Sequence, residues 1–291
     1  MAIKGKLIIV GGGINTGSLV DKELSELARD SFFQCGILKT IIDESKHQNN
    51  SRIEIITTAS KMQAEVSETY MNAFNVLGAI NIGHFQINSR VDANNLENLE
   101  RLKQADTVLF TGGDQLRLTS IIGGTEFQKI LLDKYNHEEF VYAGTSAGAA
   151  AVSSSMIYQG NSSDALFKGS VEINSGLGLI DSIIVDTHFI QRGRIGRLFQ
   201  VVVGNPMKIG IGLGEDTGLL ITNNNDKMTA IGSGSIILVD GRQITDTNLT
   251  QIETGRPISI SNIITHVMTR NDIYYFKENK IIIKDSQYNI I

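Results

Sequence analysis

"FVYAGTSAGAAAV", Phe140 to Val152, is the stretch whose reading decides the fold. An apolar run of strand character ends at Gly144, and small residues of helical character begin at Ala147. Between them stands "GTSAG" (144–148), one serine in the spacing G-x-S-x-G. Small neighbours let a strand and the helix after it approach closely, and the sharp turn between them presents the serine hydroxyl. A helix starting at Ala147 places its N-terminus beside Ser146, where the Ala147 N–H can donate to a developing oxyanion. Five residues match a pattern by chance, and a strand-to-helix turn needs small residues with or without chemistry. The rest of the chain must supply a base and an acid to orient it.

Working outward, similar apolar runs recur. "KLIIV" (6–10), "IEIITT" (53–58), "TVLFTGG" (107–113), "SIIVDTHF" (182–189) and "IGIGL" (209–213) read as strands. Their near-continuous apolar character suits strands covered on both faces, as in a parallel sheet. Helical spacing separates some of them, with Met62, Val66, Tyr70, Ala73, Phe74 and Leu77 on one face and Leu96, Leu99 and Leu102 on another. This alternation predicts βαβ units. Beyond residue 217, "GLLIT", "MTAIG", "GSIILVDG", "IYYF" and "KIIIK" follow closely, with turn residues at Asn223–Asn225 and Asp240–Gly241. They read as antiparallel hairpins added to the main sheet. The expected fold is α/β: a mostly parallel sheet flanked by helices, in one domain over 1–291, with 217–291 as a β-hairpin extension.

Composition narrows the function. The 291 residues carry 41% hydrophobic and 20% charged side chains, ordinary for a globular protein. A net charge of −5 predicts no broad basic surface, so nucleic acid is not an expected partner. The 29 glycines against 2 prolines point to tight turns inside regular structure. Cys35 is the single cysteine, so no internal disulfide forms, and no metal site is expected. The apolar run Leu7–Val10 is too short for a signal peptide or membrane span, and a cytoplasmic location is expected.

Two glycine-rich loops follow strands. "VGGGINTG" (10–17) departs from G-x-G-x-x-G, and no acidic residue is placed for a ribose. A tight turn is its plainer reading; a loop near the active site is the alternative. "FTGGDQLRL" (110–118) follows a buried strand and so lies at the carboxyl edge of the sheet, where Gly112 and Gly113 can offer N–H groups.

Five histidines are candidates for the base. His47 and His137 lie in polar surroundings, and His84 sits in an edge-strand pattern. His188 closes an apolar strand, and His266 lies in the hairpin region. Glu215 and Asp216 follow "IGIGLG" as carboxylate candidates. Two chain orders satisfy these positions: Ser146, Glu215 or Asp216, His266; and Ser146, His188, Glu215. The second places all three groups at strand ends on one edge of one sheet and needs nothing from the hairpins.

The segment "DTHFIQRGRIGRL" (186–198) adds Asp186, Gln191, Arg192, Arg194 and Arg197. Arg194 and Arg197 share a face if the segment is helical. Guanidinium forks suit carboxylates, although a solvated charged face is the ordinary explanation.

"FTGGDQ", "GTSAGAAA", "VDTHFIQRGRIGRL" and "GIGLGEDTGLLI", in this order, resemble the cyanophycinases, serine peptidases grouped with dipeptidase E. The resemblance runs from the first strand to about residue 240. It implies a fold similar to class I glutamine amidotransferases, which is flavodoxin-like. It implies Ser146 as nucleophile, His188 as base and Glu215 as third member, with no cofactor. It implies substrate contacts from Gln115, Asp186, Arg192, Arg194 and Arg197. Thr187 is counted with these substrate-binding positions; it stands where these proteins commonly carry glutamine, and a short hydroxyl cannot reach where an amide would. The implied substrate is cyanophycin, a poly-aspartate bearing arginine on its side chains, cut to β-aspartyl-arginine dipeptides; the implied assembly is a homodimer. With that triad, Ala147 and Gly113 or its neighbour are the expected oxyanion donors. An aspartyl or isoaspartyl dipeptidase with the same triad is the second reading, and a non-catalytic nucleotide-binding protein built on residues 10–17 the third.

Overall fold

The computed structural model describes residues 2–17 and 32–284. Strands β1 (Lys6–Val10), β2 (Arg52–Ile56), β3 (Asn81–Phe85), β4 (Thr107–Phe110) and β5 (Val141–Thr145) come first along the chain. A small hairpin, β6 (Ser155–Gln159) and β7 (Glu172–Ser175), follows. Next come β8 (Ile183–Asp186), β9 (Ile209–Leu213), β10 (Thr217–Thr222), β11 (Lys227–Gly232) and β12 (Ile236–Asp240). The chain continues through β13 (Asp246–Thr247), β14 (Ile260–Ser261), β15 (Ile264–Met268), β16 (Ile273–Tyr275) and β17 (Lys280–Ile282).

The main sheet has nine strands in the order β17-β16-β11-β10-β1-β5-β4-β2-β3. From β1 to β3 every pairing is parallel; from β1 to β17 every pairing is antiparallel. Alternate residues of β1 enter opposite cores. Leu7 and Ile9 pack with Phe110, Leu131 and Tyr142, and Ile8 and Val10 with Ile41, Ile42 and Phe74. Burial on both faces is why these strands read as unbroken apolar runs. The helices Ile37–Glu44 and Gln63–Val76 supply the second of these cores, and Gln115–Ile122 and Glu126–His137 the first.

In one respect the fold departs from expectation. The strands at 182–189, 209–213 and 234–241 do not join the main sheet. They form a second sheet of four strands, β15-β12-β9-β8, in which β8 and β9 are parallel. The helix Ile195–Gly204 packs on it through Leu198, Val201 and Val202. The hairpins of the last third are therefore divided, with β10, β11, β16 and β17 on the main sheet and β12 and β15 on the second. No helix among the described residues is long and apolar enough to cross a membrane.

Candidate active site

Ser146 sits between β5 and a single helical turn, Ala147–Ala150, with φ 50° and ψ −107°. That conformation is strained for a residue with a side chain and persists where surrounding packing imposes it. The packing is visible: a Cβ on Gly148 would lie 2.3 Å from the Phe110 carbonyl oxygen, so strand and helix meet only because the residue is glycine. The Tyr142 hydroxyl donates to the Gly148 carbonyl at 2.7 Å and closes the elbow from within. The helical run is shorter than its alanine content suggests. A single turn offers individual N–H groups rather than the field of a long helix.

Ser146 Oγ is 3.0 Å from His188 Nε2, and His188 Nδ1 is 2.7 Å from Glu215 Oε1. His188 follows the end of β8 and Glu215 the end of β9. His188 has φ 49°, and Asp216, next to Glu215, has φ 45°. The imidazole is 17% exposed and the Glu215 side chain 42%, so the relay opens to solvent at its acid end.

Two expectations change in detail. The three groups lie at strand ends, but at the seam between two sheets rather than on the edge of one. The alternative order is not assembled. His266 lies on β15 with its ring centroid 6.2 Å from that of Tyr274. The Asp216 carboxylate accepts from the Asn15 N–H and the Ser233 hydroxyl instead.

The sequence profile of peptidase family S51 matches residues 25–229. The chain belongs to peptidase family S51. It is thereby a hydrolase of the serine-peptidase type. A cyanophycinase from Trichormus variabilis is 30% identical over 255 residues, which span 88% of this chain and 85% of the relative. One from Synechococcus elongatus is 30% identical over 229 residues, spanning 79% of this chain and 71% of the relative. The fold is shared with a crystal structure of a peptidase from an acI-B1 actinobacterium. That similarity has a TM-score of 0.64 at 20% identity and covers 94% of this chain and 98% of the other.

In this S51 peptidase the charged segment folds inward. Asp186 and Arg197 are buried, and Thr187 with them. Arg197 Nη2 donates to Asp186 Oδ1 at 3.2 Å and Nη1 to the Gly160 carbonyl at 2.8 Å. Arg194 Nη1 donates to Asp186 Oδ1 at 3.2 Å and to the Thr187 carbonyl at 2.8 Å. Burial pushes the Asp186 carboxyl above the usual carboxylate range, against the pull of Arg197 and Arg194. Direct substrate contact is the expectation for Asp186, Thr187, Arg194 and Arg197. Here these side chains or their backbones hold one another, and Arg192 is the exposed cation of the run. Gln115 lies beside the same region, its amide donating to the Ile157 and Tyr158 carbonyls at 3.2 Å each.

The loop after β4 also reaches the serine. A Cβ on Gly112 would stand 3.3 Å from Ser146 Cβ, and Gly113 follows with φ 140°. Asp114 caps the next helix through the N–H groups of Leu116 and Arg117. The first glycine-rich loop answers its open question as a loop at the site. Gly12 lies against the His188 ring and Gly13 against the Glu215 side chain.

Sequence reasoning misses three supporting contacts at the candidate site. Gln191 accepts the Glu215 N–H on Oε1 at 3.2 Å. Asp216 ties residue 15 to residue 233, as above. The buried hydroxyl end of Tyr70 lies near the Thr145 side chain, and burial pushes its pKa up to about 12. Asp216 carries a signal as an acid next to a candidate acid and Gln191 as a member of the charged segment, while Tyr70 reads only as a residue of its helix face. Among the described residues, no three His, Cys, Asp or Glu side chains group as a metal site.

Proposed function

We propose that this peptidase hydrolyses the poly-aspartate backbone of cyanophycin, or a closely related aspartyl-arginine polymer, through an acyl-enzyme. The observation that carries the chemistry is the continuous contact from Ser146 Oγ to His188 Nε2 and from His188 Nδ1 to Glu215. His188 accepts the hydroxyl proton as Ser146 Oγ bonds to the scissile carbonyl carbon. Glu215 fixes the tautomer and stabilises the imidazolium. The N–H of Ala147, with one from Gly113 or its neighbour Gly112, receives the oxyanion. The C–N bond breaks as His188 passes the proton to the leaving amine. Water, deprotonated by the same imidazole, then cleaves the ester and frees Ser146.

The choice of substrate rests on the two cyanophycinase relatives and on the charged segment beside the base. Mass analysis of the soluble products from insoluble cyanophycin tests it. β-Aspartyl-arginine is expected from the wild-type protein and not from Ser146→Ala. No soluble product from the wild-type protein would sink this choice.

One observation favours a second reading. With Arg194 and Arg197 turned onto Asp186, a single exposed guanidinium, Arg192, remains in this run to meet carboxylate. That suits a short aspartyl or isoaspartyl peptide. Cleavage of Asp-X dipeptides beside inert cyanophycin identifies this case.

A further inference from the structure

β1 ends at Val10, and its last carbonyls need partners at the sheet edge. They find them in sequence. The carbonyls of Val10, Gly11 and Gly12 accept the N–H groups of Ser146 at 2.9 Å, His188 at 2.8 Å and Asp216 at 2.8 Å. Each donor carries a member of the Ser146–His188–Glu215 relay or directly follows one. The side-chain space over the same loop is filled by that relay. A Cβ on Gly12 would lie 2.3 Å from His188 Cε1 and 2.6 Å from Nε2, the nitrogen facing Ser146. A Cβ on Gly13 would lie 3.0 Å from Glu215 Cβ. The loop is held in turn by Asp216, whose Oδ1 accepts the Asn15 N–H at 3.0 Å and whose Oδ2 accepts the Ser233 hydroxyl at 2.8 Å.

We infer that residues 10–13 are the jig of the active site: consecutive carbonyls set the spacing of the triad segments, Gly12 sets the imidazole, and Asp216 is a positioning residue that locks the loop. The inference rests on the triad assignment above. Two sheets meet at this site, and one loop bonded to segments of both fixes their relative placement where neither sheet's own ladder can. A turn without this role would need only the backbone conformation of Gly12, φ 110°, and not an imidazole seated where its side chain would stand.

The test uses a fluorophosphonate as probe, because it reads the activated serine without a peptide substrate. The maximal rate of Ser146 phosphonylation and the reagent concentration at half-maximal rate are measured for Gly12→Ala, Asp216→Asn and Asp216→Ala. A displaced imidazole lowers the first and leaves the second, by about 100-fold for a misplacement near 1 Å. Gly12→Ala is expected to show that loss with an unchanged circular dichroism spectrum. Asp216→Asn keeps an acceptor for Asn15 and is expected within about threefold of wild type, while Asp216→Ala falls at least tenfold. Wild-type rates in a folded Gly12→Ala overturn the inference. Should Gly12→Ala not fold, wild-type rates in Asp216→Ala overturn it, even with a lowered melting temperature. Failure of the triad itself reads differently, since the wild-type protein would then show no adduct on Ser146.

Discussion

Arg197 Nε stands 3.1 Å from Asp186 Oδ2, with the two side chains 5% and 2% exposed. These two atoms make no well-directed hydrogen bond, so the pair is held by charge, by the bond from Arg197 Nη2 to Asp186 Oδ1 and by the flanking contacts to Gly160 and Arg194. Arg197→Ala leaves a carboxylate buried with one remaining cation. We expect a loss of about 3–5 kcal/mol in urea unfolding. Arg192→Ala, at an exposed position, should stay within about 0.5 kcal/mol. Equal stabilities with a raised KM in Arg197→Ala would make Arg197 a substrate ligand instead.

Removal of Ser146 or His188 should cost on the order of a millionfold in kcat, because members of a triad act as a unit. Glu215→Gln keeps the shape and spoils the tautomer, for a loss of about ten-thousandfold. His266→Ala should retain wild-type turnover, since that ring lies on β15 near Tyr274. Steady-state rates on a cleaved substrate decide all three. Loss in His266→Ala with activity kept in His188→Ala would reverse the assignment.

Tyr70, on the helix Gln63–Val76, brings its hydroxyl near the side chain of Thr145, the residue before Ser146. Tyr70→Phe removes this hydroxyl, and a loss of about 1 kcal/mol is expected where it bonds to buried Thr145. Denaturant unfolding reads this directly. An unchanged midpoint would mean that the two hydroxyls make no hydrogen bond.

His84 is the pH-sensitive group of the far edge. Burial first, and then the Arg101 guanidinium, lower its pKa, with Glu54 opposing, while Nε2 meets the Thr57 hydroxyl at 2.7 Å. The folded protein therefore binds this proton less readily than the unfolded chain does. Its contribution to stability is lost as pH falls below the ordinary histidine value of about 6.5. The melting temperature should drop less between pH 7 and pH 5 in His84→Gln than in wild type. Equal drops would exclude His84 as the source.

Much of the fold is legible in the amino-acid sequence. Continuous apolar runs such as Lys6–Val10 and Thr107–Phe110 announce strands buried on two faces, and the elbow at Ser146 has a local spacing. Which sheet a strand joins is not legible. Ile183–Asp186 and Ile209–Leu213 read like main-sheet strands because burial on both faces leaves the same pattern in either sheet. The spacing of Arg194 and Arg197 makes them neighbours, but it does not say whether they face solvent or Asp186. The role of Gly12 is beyond reach of local pattern, because the imidazole that fills its space belongs to His188, far along the chain and on the second sheet.

The most direct test of the central claim is mass spectrometry of the protein after a fluorophosphonate treatment, with the adduct mapped by proteolysis. One adduct is predicted, on Ser146, and none in His188→Ala. An unmodified wild-type protein, or an adduct on another residue, would contradict the account.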